Sequence, residues 1–597
     1  MNALLSRPGK SKSLVEVYLL CVALIFLPVS LLADSADWSS YNHNESGSRF
    51  NPSEKHLSVK NVSNLIEKWR FPRKGAGYKI GAIHATPTVV NGYVYFGTST
   101  FARFYRLKPN GELDWMYTPA IGNKQQSQSK DARLLVPSLG IYSSALVTGD
   151  AVYFGDTNGV AYCLDKETGK ERWKVNTRSG DFPCAHKANL LMGSPIKAGK
   201  LIIFAGGAYE HAKAQEKGYR CCNGRGFVLA FDPQNGQLVW KYLVGPVPEE
   251  FNPPLKIKTV WGERVFHYGP STSSVWSTPS YDAKSDSVFF GTDVHNSPRK
   301  PTKEDPRNYT PHSAAVISVS ASNGQEKWVS QITKGDVWNQ TMPSYDPKTG
   351  YKDQSIGDTP KIVEAIIDGK KVRVVGSGSK NGGFYIMDLK SGKILANTPI
   401  YTGPPSDSPK IDARTLALPS PMGGIQSGCA TDGKSFFTNG IDSIFKGTNT
   451  KKRYGPPTGG RVTSISTNTQ SENWRHERPK VPWVGGTKEK PQFTNTGDPV
   501  ASGIAIANGC LFFTTMSSNK LVALDKATGK VLKEIYLGPV LCGPSISRGR
   551  VYVGTGNVIF SLHPSENYFP KNVHGTLYSF GTPGADEVDK MGSGQKK

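Results

Sequence analysis

Residues 161–175, AYCLDKETGKERWKV, read as a strand, a tight turn centred on Thr168-Gly169, and a return strand entered through Trp173. The chain writes this sentence again and again. FYRLKPNGELDWMYT carries Gly111 and Trp115, VLAFDPQNGQLVWKY carries Gly236 and Trp240, and VISVSASNGQEKWVS carries Gly324 and Trp328. FYIMDLKSGKILAN keeps Gly392 but has Ala396 at the Trp position, and LVALDKATGKVLKE keeps Gly529 but has Lys533. VTSISTNTQSENWRH is a worn copy with Gln470 at the Gly position and Trp474 in register. Wherever the Trp is kept, it lies four residues after the turn position. Glycine accepts the positive-φ place of a hairpin, and an even offset fixes the face on which the indole stands. A second line precedes most copies: TPTVVNGYVYFGT, GSPIKAGKLIIFAGG and GIAIANGCLFFTT each run from a small residue or Pro through a turn into a β-branched and aromatic run. Each unit is four short antiparallel strands, which is a propeller blade.

The ends complete one another. NLIEKWRFP, with Trp69, is an outer strand without its first three partners. GRVYVGTGN and GTLYSFGTP, near the C-terminus, are inner strands with no Trp strand after them. Joining the two removes an exposed sheet edge, and with the seven turn repeats it predicts an all-β, eight-bladed β-propeller over residues 63–584, closed by its N- and C-terminal strands. Residues 34–62 are polar and irregular and are expected to wrap the barrel edge; residues 585–597 are expected to be disordered. Inserts rich in Pro, Gly or charge at 245–270, 296–310, 401–424 and 440–460 belong on the faces, where ligands bind.

A basic start (Arg7, Lys10, Lys12) leads into LVEVYLLCVALIFLPVSLLA. This predicts a signal peptide over residues 1–33 and export to the periplasm or outside the cell; an uncleaved anchor is the alternative, since the run is long enough to span a bilayer. The formal net charge of +24 favours an acidic polymer or an anionic surface over a basic partner. No stretch interleaves basic and aromatic residues as a single-strand binder does, and an exported chain does not meet nucleic acid. Of eight Cys, seven follow the leader. Export permits disulfides, and the spacings give neither a zinc site nor a CxxCH haem attachment.

The turn repeat with its returning Trp resembles the quinoprotein repeat of dehydrogenases that use pyrroloquinoline quinone (PQQ). Non-enzymatic propellers of outer-membrane assembly factors carry the same repeat. The block SSVWSTPSYD, VFFGTD and SAAVISVSASNGQEKWVSQITKGDVWNQ is similar to the cofactor-proximal blade of PQQ alcohol dehydrogenases. CCNGRG, from Cys221, resembles the polyvinyl-alcohol-dehydrogenase-like branch. The resemblance implies PQQ, with calcium beside it, and an alcohol substrate, possibly polymeric. It also implies a separate electron acceptor such as a cytochrome c, because no haem segment is present. In the family, the residue matching Trp276 is the plate on which the quinone stacks, and the one matching Ser274 bonds its edge. Lys380 matches the cation beside the quinone oxygens, where negative charge develops. Arg225 is placed to meet a cofactor carboxylate, and Cys221–Cys222 to form a disulfide between neighbours against the cofactor. The bland alternatives are a core Trp, a turn Lys, a bracing Arg and two unlinked thiols.

Two departures matter. The family ends its block DxWD, with the second Asp as general base; here the run is Asp336-Val337-Trp338-Asn339, and Asn cannot take that proton. The role then falls to Asp336 or Asp293. The family's metal-binding Asn is replaced by Val294, which leaves Asp293, Asn296 and Asn339 as a rearranged oxygen set for a cation. Two readings result: an exported PQQ-dependent alcohol dehydrogenase, or a non-catalytic propeller that serves as a protein- or polysaccharide-binding scaffold. The export expectation is checked by N-terminal sequencing of mature protein, which should begin near Asp34 or Ala36; recovery of Met1 on a soluble protein would refute it.

Overall fold

The computed structural model describes residues 36–119, 140–271, 273–300, 302, 310–342, 349–401, 423–443, 457–486, 491–558 and 573–583. The leader expected at 1–33, the tail expected at 585–597 and most of the inserts at 401–424 and 440–460 lie outside the described residues. Among the described residues no helix is long and apolar enough to cross a membrane.

Eight four-stranded antiparallel blades follow one another. Seven take their strands in chain order, from innermost to outermost, beginning at Thr88–Val90, Leu146–Thr148, Ile196–Ala198, Ser280–Asp282, Lys361–Ile367, Ala430–Thr431 and Ala505–Ala507 (blades 1 to 7). Blade 8 is built from both ends of the chain. Ser545–Ser547, Arg550–Gly554 and Leu577–Gly581 come from the C-terminal side, and Ile66–Phe71 pairs onto the last of these, from Ile66 opposite Gly581 to Phe71 opposite Leu577. The closure expected from the orphan Trp69 strand is therefore present. One hydrophobic cluster runs across this seam, with Phe512 of blade 7, Val551 and Leu577 of blade 8, and Val89 and Phe96 of blade 1. The junction of the termini is packed as a core, and the ring has no open edge there.

Burial follows position in the blade. The inner strands Ala151–Gly155, Gly226–Phe231 and Ala315–Ser320 are buried on both faces, because each blade is stacked between two others. The outer strand Glu171–Asn176 is largely exposed apart from Trp173. Its turn contains the expected Thr168-Gly169. The strands Val160–Asp165 and Glu171–Asn176 are linked by five residues, with a bulge at Cys163/Leu164. The Asp165 carboxylate explains the loop: it accepts the N–H groups of Glu167 (3.1 Å) and Thr168 (2.8 Å), while the Gly169 N–H bonds back to the Asp165 carbonyl (2.9 Å). An Asp at the strand end can hold a turn in this way.

The repeated Gly and Trp meet across blades. The Gly169 turn of blade 2 (φ +68°) sits on the indole of Trp115 from blade 1; a Cβ there would lie 2.6 Å from the ring. Gly111 sits on Trp69, Gly236 on Trp173, Gly324 on Trp240, Gly392 on Trp328 and Gly529 on Trp474 in the same way. Each indole N–H also donates to a carbonyl of the next blade, as from Trp69 to Pro109 (2.9 Å) and from Trp173 to Pro233 (2.9 Å).

Residues 36–51 bond to the innermost strand, or to the residues leading into it, in seven blades. Trp38 exchanges two hydrogen bonds with Val89 (2.8 Å each), and the carbonyls of Ser39, Glu45, Ser46, Ser48 and Arg49 accept from Val147, Tyr281, Ile362, Thr431 and Ile506. Asn51 Nδ2 donates to the Ile546 carbonyl (2.9 Å). The segment visits these blades in ring order along their inner edges. The insert at 245–270 contains a two-stranded hairpin, Glu249–Thr259 with Gly262–Gly269, and the period-two alternation of LKIKT was its signal.

Trp69→Ala removes the indole that docks blade 8 on blade 1. Trp69 is half-buried against the seam cluster, so the cost should lie below the value of about 3–5 kcal/mol for a fully buried Trp; the thermal midpoint should fall and unfolding should remain a single transition. A midpoint equal to that of the parent would show that the seam does not depend on this contact.

Candidate active site

The site is built from equivalent positions on successive blades. Just before the innermost strand, one residue donates its N–H to the preceding blade: Ile83 to Thr555 (2.8 Å), Ile141 to Thr98 (2.9 Å), Leu191 to Asp156 (3.0 Å), Val275 to Gly206 (3.0 Å), Ile356 to Thr292 (3.0 Å) and Ile425 to Ser379 (3.1 Å). The next residue in each case forms a ring about the axis: His84, Tyr142, Met192, Trp276, Gly357 and Gln426. A second column is fixed by the returning bonds, Asp293 N–H to Ser274 (2.9 Å) and Lys380 N–H to Ser355 (3.0 Å). Asp293 and Lys380 are thus the same position in blades 4 and 5.

Trp276 stands out in this ring. Its indole is half-buried and stands just before the innermost strand of its blade, whereas the blade-docking Trp residues lie on outer strands and give their N–H groups to carbonyls of the next blade. It extends over Gly357 of the neighbouring blade, where a Cβ would lie 2.1 Å from Cη2. Only glycine leaves room for the ring to lie there. On blades 1 and 2, His84 stacks on Tyr142, with centroids 5.2 Å apart.

Charged groups gather beside Trp276. The Ser274 hydroxyl donates to Asp293 Oδ2 (3.2 Å). Asp293 Oδ1 accepts the Val294 N–H (2.8 Å) and the Ser355 hydroxyl. Ser355 Oγ also lies 3.4 Å from Asp353 Oδ1, which pairs with Lys380 Nζ at 2.8 Å. The His211 ring packs edge-on to Tyr209 and 5.9 Å from Trp338. Burial lowers the His211 pKa to about 4, with Asp353 opposing the shift and Lys380 reinforcing it; the imidazole is neutral at physiological pH. Burial raises the proton affinity of Asp353, Lys380 lowers it, and Asp293 raises it again. His211 and Asp353 escaped the sequence reading. Alignment of the blade columns marks Asp293 and Lys380, but Asp353 and His211 lie on connections that no repeat position reaches.

The remaining expected residues take other places. Both oxygens of Asp336 are turned to the backbone of the connection that carries Asp353, accepting the N–H groups of Lys352 (2.7 Å) and Gln354 (3.0 Å). The Arg225 guanidinium is engaged by the carbonyls of Leu243 (2.9 Å), Val244 (3.3 Å) and Gly245, the bracing alternative. Cys221 and Cys222 are joined in a disulfide; Cys163, Cys184, Cys429, Cys510 and Cys542 are free. Buried Glu210 holds the loop that follows the disulfide by accepting from Asn223 (3.1 Å) and Gly224 (2.6 Å). The Cys222 sulfur lies 4.0 Å from the Asn296 carbonyl, and that carbonyl accepts from Asn339 Nδ2 (2.9 Å). Asn339 Oδ1 is occupied by the N–H and hydroxyl of Thr341 (2.9 and 2.6 Å). Asn296 Oδ1 is buried without a partner. Among the described residues no three His, Cys, Asp or Glu side chains gather around a metal-sized space. Of the expected oxygen set, Asp293 and Asn296 retain capacity for a cation and Asn339 does not.

This arrangement on a propeller axis defines a class. The family model for the β-propeller domain of glucose, ethanol and alcohol dehydrogenases, the PQQ family, matches residues 38–410. The chain belongs to that family of oxidoreductases. A model described as outer membrane protein assembly factor BamB matches residues 458–563. Among individual proteins, a polyvinylalcohol dehydrogenase from a Pseudomonas species is 26% identical over 558 residues, covering 89% of this chain and 74% of that protein. The dehydrogenase subunit of the quinone-type alcohol dehydrogenase of Gluconobacter oxydans is 27% identical over 381 residues, covering 61% of this chain and 45% of its own length; this chain therefore spans less than half of that relative. The quinohemoprotein alcohol dehydrogenase of Comamonas testosteroni shares the fold at a TM-score of 0.67 and 20% identity, over 92% of this chain and 81% of that one.

Burial pushes the Asp336 pKa up to about 7, although two N–H donors oppose it. A carboxyl raised above its usual value of about 3.9 stabilises the fold fully below that value and loses the contribution as pH rises through 7. The stability of Asp336→Asn relative to the parent should therefore shift in the variant's favour between pH 4 and pH 8, by at most about 4 kcal/mol. Denaturant titration at the two pH values checks this, and a constant gap would contradict it.

Proposed function

We propose that the chain is a PQQ-dependent alcohol dehydrogenase that oxidises an alcohol to the carbonyl. The observation that carries this is Trp276, half-buried on the axis over Gly357, with Ser274, Asp293 and Lys380 beside it. These residues fit a flat, anionic quinone. An aromatic plate suits a planar ring system, a hydroxyl and a cation face its polar edge, and the glycine keeps the plate clear. Bound there, the quinone supplies the acceptor for the hydride leaving the alcohol carbon. Trp276 sets the plane of the reaction, Lys380 offsets the charge that develops on the quinone oxygens, and the ring of blades keeps the site rigid. Asp293 and Asn296 are the residues that would hold a calcium ion. The scaffold reading has no comparable support, because a propeller that only displayed its surface would have no need to gather buried Asp353 and Lys380 with half-buried Asp293 and His211.

The finer features belong to the same proposal. The enzyme is exported, acts in the periplasm or beyond, and passes its electrons to a separate acceptor such as a cytochrome c. Its substrate is an alcohol that can be polymeric, in keeping with the polyvinylalcohol dehydrogenase relative. The basic surface suits an acidic or anionic partner.

The test is addition of PQQ, with and without calcium, to the apo-protein. A ligand that binds only the folded state raises the thermal midpoint, by about 2.7 kcal/mol of stabilisation at one hundred times Kd. The rise should be seen for the parent, should be largely lost in Trp276→Ala, and should be accompanied by oxidation of primary or secondary alcohols with a dye acceptor. A parent protein that neither binds PQQ nor oxidises any alcohol would overturn the proposal.

A further inference from the structure

We propose that Asp353 is the group that accepts the alcohol's hydroxyl proton, with Ser355 and Lys380 holding it in place; this rests on the dehydrogenase reading above. Three carboxylates, Asp336 and Asp353 buried and Asp293 half-buried, stand near the cofactor bed, and their hydrogen bonds separate them. Asp336 has one backbone N–H on each oxygen, so it is committed to the connection at 352–354. Asp293 has both oxygens occupied by three donors: the Ser274 hydroxyl, the Ser355 hydroxyl and the Val294 N–H. Ser355 has a single hydroxyl proton, and it is given to Asp293; its 3.4 Å contact with Asp353 Oδ1 is the long one. Asp353 therefore keeps only Lys380, on Oδ1, and among the described residues its Oδ2 accepts no hydrogen bond. Asp353 is buried, with 7% of its surface exposed, and only three residues separate it from Gly357 beneath Trp276.

The charged and titratable neighbours all bear on this group. Burial raises its proton affinity, the Lys380 ammonium at 2.8 Å favours its charged form, Asp293 and Asp336 oppose that form, and neutral His211 lies nearby. A carboxylate paired with one cation and otherwise free to accept a proton is what a general base requires. In the step itself the alcohol O–H bond breaks and its proton goes to Asp353 Oδ2. The C–H bond breaks and its hydrogen leaves with both electrons to the quinone, while the C–O bond becomes the carbonyl. The alcohol is oxidised by two electrons and the quinone cofactor reduced by two. Lys380 has a double part: it lies beside the quinone oxygens in the cofactor reading and pairs with the base in the structure, so the proton and the hydride leave the substrate toward one cation.

The experiment separates binding from turnover. In Asp353→Asn, the apparent Kd for PQQ, measured by equilibrium dialysis of the apo-protein, should be unchanged or tighter, because Lys380 is released to face an anionic ligand. Turnover of the loaded variant should fall about 10²–10⁴-fold, the usual contribution of a general base. Asp353→Glu keeps a carboxylate on a longer arm and should recover at least a tenth of the parent kcat. Asp353→Asn that keeps kcat within threefold would overturn the assignment, as would parallel loss of PQQ binding and turnover in both variants. If the parent binds no PQQ, the dehydrogenase reading falls first and this assignment with it; if the parent binds and turns over while Asp353→Asn does the same, only this assignment falls.

Discussion

The structure depends on one contact repeated around the ring: an indole from the outer strand of one blade lying under the turn glycine of the next. The glycine supplies two things at once, the positive φ of the turn and the missing Cβ that lets the ring approach. The two exceptions in the sequence follow from this pairing. Blade 5 has Ala396 where the indole would be, and the turn of blade 6, which would have covered it, has Gln470 in place of glycine. With no indole to clear, a side chain is tolerated at φ +54°, and the junction is made by the Thr398 hydroxyl on the Gln470 carbonyl (2.7 Å) and by Gln470 Nε2 on Ile366 (3.2 Å). Blade 7 has Lys533 in the Trp position. The next blade is the one sewn from the two ends of the chain, so it has no such turn, and Lys533 Nζ bonds the Ser63 carbonyl instead (2.8 Å).

Because every blade is fixed to its neighbours through its outer edge, the inner edges fall into register. The rungs between successive blades repeat at 2.8–3.1 Å from Ile83 to Ile425, and each brings one side chain to the same height on the axis. Function then reduces to what the repeat leaves at those positions. Trp276 and Gly357 are neighbours in one column, Asp293 and Lys380 in the next, and the bulky residue of each pair of columns is matched by what its neighbour lacks or offers. A site assembled in this way needs rigid blades more than it needs any local loop, which is why the outer Trp residues, far from the chemistry, matter to it.

The same logic explains what could be read from the sequence. The turn repeat, the orphan Trp69 strand and the eight-blade closure were legible because each is a periodic signal or the gap in one. Trp276 and Lys380 were legible through family resemblance, and the aligned columns would have found them without it. Asp336 looked like a base because it precedes Trp338 in the motif, yet its oxygens face the backbone; a one-dimensional motif does not show which way a carboxylate turns. Arg225 was drawn to the carbonyls of its own blade for the same reason. Asp353 and His211 lie on irregular connections outside the repeat, and only the fold brings them beside Lys380. The turn was placed correctly around Thr168-Gly169, but its five-residue length depends on the Asp165 carboxylate accepting backbone N–H groups, which the sequence does not show.

The segment at 36–51 ties the inner edges of the blades to one another. It bonds the innermost strands of seven blades, and Arg49, fully buried, ties it down through the carbonyls of Tyr41 (2.5 Å), Ile504 (2.7 Å) and Pro544 (3.1 Å). Guanidinium suits this place, since it spreads one charge over several donors in a planar fork and can satisfy carbonyls from different blades together; its face also lies 4.5 Å from the Tyr41 ring. Just beyond Gly357, Asp358 bonds the N–H groups of Gly378 (2.9 Å) and Cys429 (2.8 Å) and pairs with buried Lys361. Strap, Arg49 and ion pair thus tie the inner edges of several blades together next to Gly357, and so hold rigid the backbone that carries Trp276, Asp353 and Lys380.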